Sequence, residues 1–178
     1  ELQKFNAEQA VNKNLFNKST VNIVAQIENY VALNNYFNTG SKLSTYHGWP
    51  ISPDIALFIV DVINEKQYDA IIEFGSGTSS ELFAKIARLK EANNEKIPKI
   101  LSFDHLDEYY QKTLAILKRE NIEGFVQLEL APLIPMPLQN EDYRYYDCEK
   151  TLRIFLDSLP EHGKVLVLSD GPPMLTCQ

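Results

Sequence analysis

The run Tyr68-Asp69-Ala70-Ile71-Ile72-Glu73-Phe74-Gly75-Ser76-Gly77-Thr78-Ser79-Ser80 decides the fold. Its first half is short, apolar and rich in branched side chains, which predicts a strand over 68–74. Two glycines break the run. Leu82, Phe83, Ile86 and Ala87 then recur at helical spacing within Thr78–Asn93. A strand that turns through Gly-x-Gly into a helix is how an open α/β sheet presents backbone to a ligand. Glycine allows the sharp turn and the close approach.

Downstream the same alternation repeats. Strands are predicted at Lys99–Phe103, Phe125–Leu130 and Lys164–Ser169. Helices are predicted at Asp107–Asn121, with Tyr110, Leu114 and Leu117 inward, and at Cys148–Leu159, with Leu152, Phe155, Leu156 and Leu159 on one face. Pro132–Tyr146, rich in proline and tyrosine, reads as a loop. Strands separated by single helices pair in parallel. Strands this apolar belong to a sheet covered on both faces. The expected class is α/β, a doubly wound and mostly parallel sheet. The sequence ends soon after the fourth strand, so either the sheet is small or its C-terminal strands lie outside this sequence.

Upstream, Ser52, Pro53 and Asp54 form a helix start, and Ile55, Phe58, Ile59, Val62 and Ile63 form its apolar stripe. Asn38–Pro50 reads as a loop. Between Phe5 and Phe37 the residues Phe16, Thr20, Ile23, Ile27, Tyr30, Asn34 and Phe37 alternate spacings of three and four, which predicts one or two helices. These helices pack on the main domain or pair with a second copy of the chain. The expected division is a helical segment and lid loop over 1–50 and a cofactor-binding domain over 51–178.

Composition narrows the function. The chain has 178 residues, 44% of them hydrophobic, and a formal net charge of −7. Seventeen Lys and Arg against twenty-four Asp and Glu argue against a nucleic-acid partner, since phosphate binding draws on clustered cations. No apolar run approaches the length of a membrane span. The two cysteines, Cys148 and Cys177, form neither a CxxC pair nor a disulfide framework, which points to a reducing cytoplasm. No HExxH, Cys/His cluster or GxxxxGK[ST] occurs, so neither zinc nor a P-loop is expected. Nor does Gly75-Ser76-Gly77 fit the GxSxG elbow of a serine nucleophile.

The motif Glu73-x-Gly75-x-Gly77-x-Ser79 resembles the first motif of class I S-adenosylmethionine-dependent methyltransferases, acidic-x-G-x-G-x-G, with Ser79 in place of the third glycine. The resemblance runs from about Trp49 to Pro173. It implies a Rossmann-like methyltransferase fold in which Glu73, Gly75, Ser76, Gly77 and Ser79 surround the methionine part of S-adenosylmethionine. It also implies that Asp104, closing the second strand, takes the ribose hydroxyls, with His105 against the ribose or adenine. A carboxylate accepts from both hydroxyls of a cis-diol. The alternative for Asp104 is a helix cap. The segment Leu130-Ala131-Pro132 falls where similar enzymes meet the adenine. Asp170, at the end of the fourth strand, becomes the candidate for orienting the acceptor or acting as general base. Its alternative is to cap the Ser169–Pro173 turn.

The acceptor is expected to be a small molecule or a glycan, methylated at oxygen. His47 and Trp49 border the site if Tyr46–Asp54 acts as a lid, and Tyr143 and Arg144 suit a carbohydrate or an anionic acceptor. No metal is assigned. Two rival readings stay open. One is an NAD(P)-binding oxidoreductase, disfavoured because Ser80 stands where a dinucleotide fingerprint needs its last glycine and Glu73 would repel a pyrophosphate. The other is a non-catalytic interaction module that keeps the fold.

Overall fold

The computed structural model describes residues 2–37, 51–138 and 141–170. Helix α1 (Leu2–Phe37) and helix α2 (Pro53–Lys66) precede strand β1 (Ala70–Phe74). There follow α3 (Thr78–Ala92), β2 (Lys99–Asp104), α4 (Asp107–Arg119), a single 3₁₀ turn (Glu123–Phe125) and β3 (Val126–Leu130). Strands β4 (Leu133–Leu138) and β5 (Glu141–Tyr146), helix α5 (Glu149–Asp157) and β6 (Val165–Ser169) complete the order.

Four strands form one parallel sheet in the order β3-β2-β1-β6. The chain winds outward from β1 to β3, then returns through α5 to pair β6 on the other side of β1. The direction of winding therefore reverses between β1 and β6. At such a switch point the turns leaving the two strands diverge and open a crevice at their carboxyl ends. Gly75 and Asp170 leave the sheet there, and the Asp170 amide donates to the Phe74 carbonyl at 2.9 Å.

Alternation along the strands divides the core. Ile71 and Ile100 face a cluster with Ile59, Ile63, Leu82, Phe83, Ile86 and Leu117, drawn from α2, α3 and α4. Ala70, Ile72, Leu101 and Phe103 face the opposite side, against Tyr146, Cys148 and Phe155. Helix α3 is buried almost all round over its first ten residues, so the turn before it is held rigidly. Its buried Glu81 and Lys85 pair with each other at 2.8 Å.

The expected strands and helices are all present, with corrections to one loop and to several helix faces. The segment 132–146 is not a loop: β4 and β5 pair as an antiparallel hairpin, from Leu133 opposite Tyr146 to Leu138 opposite Glu141. In α2 the inward residues are Ala56, Ile59, Val60 and Ile63, while Ile55 and Phe58 face solvent. The buried residues of α4 are Thr113, Ile116 and Leu117, and in α5 Leu156 is exposed.

Helix α1 is a single helix of 36 residues. Only the end of its expected stripe enters the core: Phe16, Ile23 and Ile27 are exposed, Tyr30 and Asn34 are half-buried, and Phe37 is buried together with Leu33. The Asp54 amide meets the Gln26 side chain, and the Tyr36 hydroxyl meets Asn64. These two bonds run in the same sequence order, so α1 lies parallel to α2. The residues before Gln26 then continue beyond the start of α2 for about 36 Å at 1.5 Å per residue.

The corrected face of α2 has a direct consequence for stability. Ile63→Ala is expected to cost about 2–5 kcal/mol, because it opens a cavity in a closed core. Phe58→Ala should cost less than about 1 kcal/mol, because the ring lies at the surface. Urea denaturation of the two variants measures the difference, and comparable losses would contradict this placement.

Candidate functional site

The site is built on the carboxyl ends of β1, β2 and β6. Gly75 has φ 104°, a left-handed conformation that a side chain would strain, and its amide donates to the Phe103 carbonyl at 3.0 Å. Gly77 is extended, and a Cβ added there would meet nothing within 4 Å. Gly75 is therefore demanded by the turn. Gly77 leaves open space that a ligand can occupy.

Glu73 lies under this turn, completely closed from solvent. Its Oε2 accepts from Ser80 Oγ at 2.5 Å and from Ser102 Oγ at 2.6 Å. Ser80 Oγ in turn accepts from the Gly77 amide at 3.1 Å. Burial disfavours the charged carboxylate and pushes the Glu73 pKa up to about 7, against the pull of hydrogen bonds from Ser102, Ser79 and Ser80. Oε1 is buried with no hydrogen-bond partner. Glu73 thus organises the turn from beneath, and the buried Ser79 supports it.

Asp104 closes β2 and is 4% exposed. Ser76 Oγ donates to its Oδ2 at 2.6 Å, and the Leu106 amide donates to its Oδ1 at 3.0 Å. Ser76 also meets Thr113 of α4 at 3.2 Å. The Leu106 bond closes a local turn before α4, whose N-cap residue is Leu106 with no side-chain cap, so Asp104 is not the helix cap. A carboxylate has about four lone-pair sites, and these two bonds leave capacity for a ligand. His105 follows, with Nδ1 4.0 Å from Asp104 Oδ1 and Nε2 buried without a partner. Asp170 is exposed at the end of β6.

The structure therefore gathers Glu73, Gly75, Ser76, Gly77, Ser79, Asp104, His105 and Asp170 at one edge. Tyr143 and Arg144 ride on the hairpin, both exposed, with Arg144 donating to the Leu133 carbonyl at 3.0 Å. His47 and Trp49 lie outside the described residues. Two residues at this edge, Tyr145 and Tyr146, lie in the tyrosine-rich stretch before α5 but are not among the residues that the sequence singles out. Phe74 packs against both, with ring centroids 5.6 and 5.7 Å away, and His105 meets the Tyr146 ring edge-on at 5.7 Å. The signal for them was the hairpin. Once Leu133 is set opposite Tyr146, β5 must place its last residues over the sheet.

Among the described residues, no three His, Cys, Asp or Glu side chains group to hold a metal ion. A cavity of about 840 Å³ lies elsewhere, between α5 and the amino ends of β2 and β3, lined by Lys99, Ile100, Val126 and Phe155 among others. It has none of the glycine-turn and carboxylate groups of the carboxyl edge. No protein-family model matches this chain, and no curated protein matches it.

The buried Glu73 makes stability depend on pH. Its folded pKa of about 7 stands above the ordinary 4.5, so the folded protein holds this proton more tightly than the unfolded chain. The resulting stability is full below pH 4.5 and is lost as pH rises through 7, by about 3 kcal/mol at most. Glu73→Gln should flatten the fall in melting temperature between pH 5 and 8. An unchanged slope in that variant would refute the assignment.

Proposed function

We propose that this domain binds S-adenosylmethionine and transfers its methyl group to a small-molecule or glycan acceptor. The observation that carries the reading is the convergence at one switch point of a Gly75–Gly77 turn, the Asp104 carboxylate and the Asp170 carboxylate. We read the four-stranded sheet as the first strands of a Rossmann-like methyltransferase fold.

The residues present fit the cofactor. Gly77 leaves room beside the backbone for the methionine part, and Asp104 has lone pairs free for ribose hydroxyls. The cofactor supplies an electrophilic methyl carried on a sulfonium, and the surrounding carboxylates favour a cation. Asp170 is exposed and anchored through its amide to Phe74, so it can orient a hydroxyl acceptor and take its proton. Aligning that hydroxyl in line with the methyl is the larger contribution.

The dinucleotide reading is weaker on this geometry. A protonated Glu73 no longer repels a pyrophosphate, so that argument loses force near neutral pH. Ser80 decides instead. Its hydroxyl holds Glu73 and the Gly77 amide, filling the place where the dinucleotide fingerprint requires a glycine for close packing. One observation favours the reading as a non-catalytic module, the exposed stripe of Phe16, Ile23 and Ile27 on α1. Association that Ile23→Glu abolishes, in a protein that binds no adenosine cofactor, would support that rival.

A cytoplasmic location fits the cysteine usage, with Cys148 free and buried. Among the described residues no helix is long and apolar enough to cross a membrane.

Two substitutions test the reading. Gly77→Ala should leave the melting temperature within a degree or two, since the added carbon meets nothing, yet weaken S-adenosylhomocysteine binding at least tenfold. Asp104→Asn keeps the shape of the side chain and one acceptor oxygen for the Leu106 amide, with its NH2 turned to the Ser76 hydroxyl as a donor, but it removes the charge that favours the ribose hydroxyls and should weaken binding by about 1.5–3 kcal/mol. Calorimetric titration measures both. Wild-type affinity in both variants would count against the site.

A further inference from the structure

We infer that Tyr146 is a ligand-contacting residue whose hydroxyl, with the His105 ring beside it, hydrogen-bonds the nucleoside end of the molecule held at Asp104. The inference rests on the methyltransferase reading and extends it to a residue outside the motif.

Tyr146 is 2% exposed, and its hydroxyl is buried with no hydrogen-bond partner. The neighbouring His105 Nε2 is in the same condition. A buried polar group without a partner is destabilising, so two on touching rings call for an explanation. Phenylalanine would fill the same space against Phe74 and Tyr145 without that cost. The hydroxyl is thus of no use to the unliganded fold.

The surroundings indicate what it meets. Burial, then the nearby Asp104, Tyr145, Glu73 and Asp170, push the phenol's pKa upward, so it stays protonated and available as a donor. Asp104 keeps lone pairs for hydroxyl groups, and His105 is the next residue along the chain. A ligand that satisfies all three carries a diol and, next to it, a ring bearing polar atoms. A nucleoside has that arrangement.

The experiment compares wild type with Tyr146→Phe, titrating S-adenosylhomocysteine by calorimetry and adenosine by ligand-detected NMR, with melting temperatures recorded without ligand. The expected result is about a tenfold loss of affinity for both ligands and a melting temperature that is equal or higher. Unchanged affinity, with wild type binding normally, overturns the role of Tyr146 and leaves the methyltransferase reading standing. A lower melting temperature at unchanged affinity would show a purely structural hydroxyl. Loss confined to S-adenosylhomocysteine would place the contact at the amino-acid end and overturn the nucleoside assignment. Failure of wild type to bind either ligand overturns both the reading and this inference.

Discussion

The buried carboxyl group of Glu73 is the point on which the arrangement depends. It belongs to β1, accepts from Ser102 of β2 and Ser80 of α3, and through Ser80 reaches the Gly77 amide. One side chain thereby ties two strands to the helix that follows the turn. A buried carboxyl survives only when it is hydrogen-bonded or neutral, and here both conditions hold in part. Burial holds its proton near neutral pH, and two serine hydroxyls carry the rest. The turn from Gly75 to Gly77 can be tight and open toward solvent because it is fastened from below.

That fastening explains how the edge is divided. Glu73, Ser80 and Ser102 face α3 and are closed. Ser76 joins Asp104 to Thr113 of α4. The reversal of winding between β1 and β6 brings Asp170 beside Phe74. The hairpin then covers the outer part with Tyr145 and Tyr146. Glu73 and Asp104 share one face of the sheet, since Glu73 stands opposite Ser102 and Asp104 follows two residues on, so it is position along the strands that leaves Glu73 beneath the turn and Asp104 at the carboxyl edge.

The strand-turn-helix of 68–93 was legible because period, glycines and helix start agreed within one short stretch. The parallel sheet followed from repeated alternation, whereas Asp104 was singled out by the resemblance, which implies an acidic residue at the end of the second strand. The hairpin was not legible. Pro135 and Pro137 lack amide hydrogens and suggest a loop, yet both are tolerated in a two-stranded ribbon that has free edges. The faces of α1 and α2 were legible only in part, for another reason: Ile59, Ile63 and Phe37 are buried as their stripes imply, while Ile55, Phe58, Phe16, Ile23 and Ile27 are exposed. Both helices carry apolar residues around more than one stripe, and only tertiary contacts decide which stripe is buried. Tyr146 could not be singled out because its importance lies in a partner it lacks, which no local pattern records. Glu73 was legible as a residue that matters, but its closure beneath Ser79 and Ser80 required coordinates.

The most direct test of the central claim is calorimetric titration of the chain with S-adenosylhomocysteine, with NAD as the control. The account predicts micromolar binding of the first and none of the second. Binding of NAD in preference to S-adenosylhomocysteine, or binding of neither, would contradict it.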